Sequence, residues 1–239
     1  MSDTAEALKV RNFSVWHKGR PGAVLRGDAF VLRRSCVTGL LGGNGAGKTT
    51  FIRMLSGLLP TFVCSDFISL GKRTFPSDRG FKISRMVVFT DDRSFPLWTF
   101  RDLLLFAQKM YGVSPSAEQE TYLVEGFGFQ DHLLTPFRNL SSGNSKKARL
   151  IVALLIAPPI IILDEPTDFL DFIGTEFLYE QIIQKRDLGH SILMSSHITE
   201  SFIRCADEIF VAADHFLSGP VSVPEGAQGI KKLIEVRNE

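Results

Sequence analysis

Gly42-Gly43-Asn44-Gly45-Ala46-Gly47-Lys48-Thr49, continued by Thr50, fits the spacing G-x-x-x-x-G-K-[ST]. Glycines at this spacing let a tight loop aim successive backbone N–H groups at phosphate oxygens. Lys48 adds a point charge near the β and γ phosphates, and the Thr49 hydroxyl can bind Mg2+. Kinases, GTPases and motors of many kinds share that loop, and a second group narrows the field. The apolar run Ile160–Leu163 ends in Asp164-Glu165. An acid at the end of a buried strand stands where open α/β sheets bind ligands, so Asp164 can hold Mg2+, directly or through water. Glu165 is then placed to orient or deprotonate an attacking water. Ser195-Ser196-His197 closes another apolar run and offers His197 to the γ-phosphate from the same edge. The other four histidines have no such setting and read as surface or packing residues.

These groups need strands that end side by side. Leu8, Val10 and Phe13 begin a strand, and Val37–Leu41 is a compact apolar run that stops at the glycines. Residues 49–58 read as the helix after the loop, and 86–89, 160–163, 192–194 and 209–211 as further strands. Apolar runs without alternation are buried on both faces, as in a parallel sheet covered by helices. Thr99-Phe100-Arg101-Asp102 reads as a capping box, with Phe100, Leu103, Leu104, Ala107 and Tyr111 following at helical spacing. Gly126 and Gly128 interrupt the next helix. Ala148, Ile151, Val152 and Leu155 mark the apolar face of a third, which Pro158 ends. The pattern predicts a helical insertion at about 95–157 within a mostly parallel α/β core.

Bulk properties bound the rest. With 239 residues, 44% of them hydrophobic, the chain can bury a sizeable core as one α/β domain or as a domain with a subdomain. A net charge of +1 leaves no electrostatic footprint for nucleic acid. Cys36, Cys64 and Cys205 show no metal or redox spacing and read as inert thiols in a reducing compartment. The polar start, residues 1–7, has no signal-peptide pattern. The longest apolar run, 150–163, contains Pro158-Pro159 and falls short of the ~18 residues of a spanning helix, so the chain is not expected to cross a membrane by itself.

The order of phosphate loop, helical insertion, Leu140-Ser141-Ser142-Gly143-Asn144, Asp164-Glu165 and His197 resembles the nucleotide-binding subunit of ATP-binding cassette transporters, from about residue 8 to residue 211. The resemblance implies one ATPase domain over residues 1–239: a P-loop NTPase core with a mostly parallel sheet, an N-terminal antiparallel β part and the inserted helical subdomain. It implies ATP and Mg2+ as ligands and hydrolysis coupled to transport. It also implies two copies stacked head to tail, each signature peptide facing the other's ATP. Ser141, Ser142, Gly143 and Asn144 would form that peptide; a helix N-terminus there favours an anion. The implied partners are a second nucleotide-binding subunit, with a homodimer expected, and a separately encoded integral-membrane permease, at the cytoplasmic face of the membrane.

This sequence departs from the family in places. Ser142 and Asn144 replace the usual glycine and glutamine of the signature. Where the family places a glutamine that reaches Mg2+, the chain offers Asp91 or Asp92. A carboxylate binds Mg2+ more strongly than an amide but donates no hydrogen bond. Trp16, or His17 one register on, stands where the family stacks an aromatic on adenine. The loop Pro166-Thr167-Asp168-Phe169-Leu170-Asp171 resembles the segment linking the two sites; Asp171 matches, while Asp168 and Phe169 replace small residues. Lys146, Lys147 and Arg149 read as a solvated helix face. Leu97-Trp98-Thr99-Phe100, Leu104-Leu105-Phe106-Ala107 and Tyr111-Gly112 resemble separately encoded exporter ATPases. An importer ATPase, a regulatory subunit with weak hydrolysis and a soluble cassette ATPase of translation or repair stay open as alternatives.

Overall fold

A computed structural model describes residues 5–17, 19, 22–59 and 61–235; residues 1–4 of the polar start lie outside them. In chain order, β1 (Glu6–Val15), β2 (Leu25–Arg33) and β3 (Val37–Leu41) lead into α1 (Lys48–Ser56). Three short strands follow, β4 (Phe62–Val63), β5 (Asp66–Ser69) and β6 (Lys72–Arg73), then α2 (Arg79–Ser84) and β7 (Arg85–Val88). The middle of the chain holds α3 (Phe100–Tyr111), α4 (Ala117–Gly126) and α5 (Ser142–Ile156). Next come β8 (Ile160–Leu163), α6 (Phe172–Asp187), β9 (Ser191–Ser196) and α7 (Thr199–Cys205). The chain closes with β10 (Glu208–Ala213), β11 (Phe216–Ser222) and α8 (Gly226–Glu235).

One sheet runs through all of it in the order β6-β5-β1-β2-β11-β10-β3-β9-β8-β7, with β4 beside β1. The half from β10 to β7 is parallel throughout. The pairs of β1 with β2, β4 and β5 are antiparallel, as is β10 with β11. The chain is thus a mixed α/β fold whose parallel half carries the phosphate loop. The parallel strands are apolar on both faces because both faces are covered. Ile161, Leu163, Ile192 and Met194 pack under the helical side, and Ile160, Ile162, Leu193 and Phe210 pack under α1 and the N-terminal strands. The second layer is aromatic: Phe51 of α1 lies 4.9 Å from Phe13 and 5.0 Å from Phe30.

Local chemistry sets the helix ends. Thr99 and Asp102 form both halves of a capping box on α3, a feature worth about 1 kcal/mol. Ser116 and Gln119 do the same for α4. Gly126 ends α4 for a packing reason, since a Cβ there would lie 2.0 Å from Cζ of Phe177. α5 stops one residue before the two prolines, with Ala157 in the left-handed region. Among the described residues no helix is long and apolar enough to cross a membrane. Cys36 and Cys205 are buried and burial pushes their thiols up, to about 11 and about 12, which keeps them unreactive.

Candidate functional site

The phosphate loop occupies the turn between β3 and α1. Gly45 (φ 82°) and Gly47 (φ 94°) lie in the left-handed region that a loop this tight requires. Gly47 is the N-cap of α1 and makes no side-chain cap bond, so the first N–H groups of the helix stay free for an anion. This loop floors a cavity of about 690 Å³, to which Lys48, Thr49, Thr50, Thr90, Glu165, Asp168 and His197 also contribute. Lys48 is buried and its Nζ donates to Gly42 O (2.6 Å) and Gly43 O (3.3 Å). It also lies 3.2 Å from Oε1 of Glu165. The loop's cation and the acid from β8 are therefore joined across the cavity floor.

Asp164 follows β8 and is fully buried. Its Oδ1 accepts from Ser195 Oγ (2.7 Å) and Thr49 Oγ1 (3.3 Å). Its Oδ2 is buried with no protein partner. Burial raises the Asp164 carboxyl above the ordinary range, against the lowering pull of those two hydroxyls. Glu165 sits at φ 44°, a strained conformation for a non-glycine residue that costs on the order of 1 kcal/mol. That turn is held by Glu165 N donating to Ser195 Oγ (2.9 Å). The Glu165 Oε2 accepts from His197 N (3.1 Å) and meets His197 Nδ1 at 2.9 Å. A carboxylate at this distance assigns the proton to Nδ1, so His197 donates from Nε2 only as the imidazolium. Asp168 brings a third acid to within 4.8 Å of Glu165 and His197. Burial and then the Glu165 charge raise its carboxyl.

Several expected residues stand elsewhere. Trp16 does not line the cavity, whereas His17 does, with Nε2 3.4 Å from Thr50 Oγ1. Strand parity fits the exchange: Phe13 and Val15 are buried with the α1 layer, and His17, two residues on, continues that alternation. Asp91 is also off the site. It is exposed and paired with Arg93 at 3.0 Å, while its neighbour Thr90 lines the cavity and donates to Asp164 O (2.8 Å). Asp92 is drawn away to Arg149 at 3.0 Å.

Lys146, Lys147 and Arg149 are buried at 3%, 8% and 7% exposure, so the solvated-face reading of this helix is wrong. Each has acceptors inside the fold, and Lys147 reaches Oδ2 of Asp171 at 2.6 Å beside the α6 cap. Two histidines read as surface or packing residues, His17 and His215, line the cavity. His215 arrives on the tight β10–β11 turn, where it and Asp214 both have positive φ.

Ser141, Ser142, Gly143 and Asn144 form the start of α5 and do not line this cavity. Ser141 caps the helix by accepting from Asn144 N (3.1 Å), and Ser141 and Ser142 are exposed. Gly143 has a reason within its own chain, because a Cβ there would lie 2.5 Å from Phe169 O. Of the two residues offered for the adenine contact, His17 is the one that lines the cavity. Thr90 and His215, which sequence reasoning missed, carried no local signal.

The chain is similar to known proteins over most of its length. Residues 25–168 match the family described as ABC transporter. The chain is 30% identical over 234 residues to the putative ABC transporter ATP-binding protein AlbC of Bacillus subtilis, covering 96% of this chain and 97% of that protein. It is 32% identical over 191 residues to the Nod factor export ATP-binding protein I of Burkholderia lata, covering 79% and 62%. It is 28% identical over 219 residues to the zinc import ATP-binding protein ZnuC of Buchnera aphidicola, covering 89% and 84%. A solved ATP-binding subunit of an ABC transporter superposes with a TM-score of 0.80 at 24% identity, covering 98% and 95% of the two chains.

Proposed function

This chain belongs to the ABC transporter ATP-binding family and is an ATP-binding, ATP-hydrolysing transporter subunit; from that premise we propose that it works as a head-to-tail homodimer powering an exporter. The observation that carries the proposal is the separation of two half-sites. Lys48, Glu165 and His197 converge on one cavity, while the serines at the start of α5 stand exposed outside it. A second copy, inverted, would bring those serines to the phosphates.

Within one half-site the roles follow from chemistry. Lys48 and the free N–H groups of the loop bind the β and γ phosphates. The Asp164 Oδ2, buried without a partner, and the Thr49 hydroxyl supply hard oxygens that fit Mg2+. Mg2+ held there would neutralise phosphate charge. Glu165 accepts the proton of the attacking water. His197, held by Glu165 through Nδ1, donates to the γ-phosphate from Nε2 as the imidazolium, and His17 offers its ring to the base.

Export rather than import is supported by the likeness of the 97–112 segment to exporter ATPases and by the export protein among the relatives. The zinc import relative favours the opposite direction, which vesicle transport of the cargo would separate. The exposed side chains of Leu97, Leu105, Phe106 and Met110 form the apolar surface for an integral-membrane permease, with the subunit peripheral at the cytoplasmic face.

The test places two defects on one chain or on two. Ser142→Asp sets a carboxylate where phosphate must approach, yet an acid at a helix N-terminus does not unfold it. Gly143 is unsuitable, since any side chain there meets Phe169 O. A heterodimer of Ser142→Asp with Lys48→Ala keeps one composite site intact and should retain about half the wild-type hydrolysis. Both changes on one chain, paired with a wild-type chain, damage both sites and should abolish it. Equal activity in the two arrangements would sink the trans assignment.

A further inference from the structure

The inner face of α5 holds two buried cations three residues apart, and each donates to two main-chain carbonyls. Lys146 Nζ donates to Asp164 O (2.9 Å) and Phe89 O (3.3 Å). Arg149 Nη2 donates to Asp92 O and Ser94 O, both at 3.0 Å, and its Nη1 pairs with Asp92 Oδ2 at 3.0 Å. The guanidinium also lies 4.5 Å from the centre of the Phe137 ring. Three carbonyls of the loop after β7 are thus gripped from one helix face. Asp92 stiffens the same loop by accepting from Ser94 N at 2.8 Å. Between the two grips stands Thr90, which lines the phosphate cavity and bonds the same Asp164 carbonyl that Lys146 takes.

We propose that Arg149 is a positioning residue for ATP hydrolysis: its fork locks the loop at 89–94 to α5, so that Thr90 and the Asp164 main chain move with the peptide at the α5 N-terminus. The inference rests on the ATP site proposed above. Nothing weaker than a guanidinium meets the geometry, because three acceptors in a fixed fan match a planar fork and not a single ammonium. It also accounts for Asp91, which is exposed and can stay so because the loop is placed through its backbone. Replacing a buried ion pair by apolar side chains of similar volume is often neutral or stabilising, so the Arg149–Asp92 pair does not have to be there for stability. Arg149 Nε is itself buried without a partner.

The experiment compares wild type with Arg149→Met, Arg149→Lys and the double variant Arg149→Met with Asp92→Asn, which leaves no unpaired carboxylate. Phosphate release yields kcat and KM, and amide hydrogen exchange follows residues 89–94 and 145–156. The expected result is a kcat loss of about tenfold with KM within about threefold, since the phosphate loop is untouched, and no full recovery in Arg149→Lys. Exchange over 89–94 should quicken by about tenfold while 145–156 keeps its protection. A folded double variant with wild-type kcat, or with unchanged exchange over 89–94, overturns the proposal. So does a kcat loss matched by equal deprotection of 145–156, which marks general loosening of the helix. The exchange readout needs no turnover, so failure of the clamp and failure of the ATP-site reading give different results.

Discussion

Lys48 and Lys146 are two lysines of nearly equal burial whose side chains end on main-chain carbonyls, yet their surroundings give them opposite work. Lys48 borrows Gly42 O and Gly43 O on the rim of a large cavity and lies 3.2 Å from a carboxylate that also faces that cavity. An incoming polyphosphate can take over its charge without breaking the fold. Lys146 is enclosed between α5 and the ends of β7 and β8, and burial holds it down to about 8 despite the acids nearby. Its charge is already assigned to the backbone. Burial of a cation therefore says little about its role until its partners are known: loop carbonyls beside open space make a binding site, and carbonyls inside a packed wall make a brace.

The largest effect that would break this contrast is on nucleotide affinity. Lys48→Ala should weaken ATP binding roughly 100-fold, the loss of about two charge-assisted hydrogen bonds, while Lys146→Met should leave Kd within about twofold, since Lys146 faces no ligand. Titration of a fluorescent ATP analogue checks both; similar losses in the two variants would erase the distinction.

Stability against pH sharpens the same contrast. Folded Lys146 releases its proton near 8, whereas an unfolded lysine holds it to about 10.5. Between those values the unfolded chain binds more protons, so wild-type stability gains with rising pH, and below about 8 the burial cost is present in full. Relative to Lys146→Met, wild type should gain on the order of 2 kcal/mol between about pH 7.5 and 9.5. Urea unfolding at the two pH values measures it, and parallel curves for the two proteins would contradict it.

The smallest effect concerns the loop after β7. Asp91→Asn should change the Mg2+ dependence of hydrolysis by less than about twofold, because an exposed carboxylate paired with Arg93 contributes little. A large shift in a metal titration would return Asp91 to the site.

What sequence alone determined is the local chemistry. Gly42 to Thr49, the run Ile160–Leu163 into Asp164-Glu165, and the Thr99–Asp102 box are legible because each is a contiguous set of residues whose conformation or burial is dictated by near neighbours. The helical insertion was legible for the same reason. Strands β2 and β11 were not: Arg26-Gly27-Asp28 breaks the apolar pattern of β2, Gly219-Pro220 breaks that of β11, and the two strands pair with each other from distant parts of the chain. Only the tertiary structure decided which face of a segment looks where. It exchanged Trp16 for His17 and Asp91 for Thr90, and it brought His215 to the cavity across the β10–β11 turn. It also buried a basic run that reads as a solvated face, by surrounding it with acceptors. Position 146 is occupied by a lysine whether solvent or the Asp164 carbonyl lies opposite it, and that choice is made by distant chain segments packing on α5.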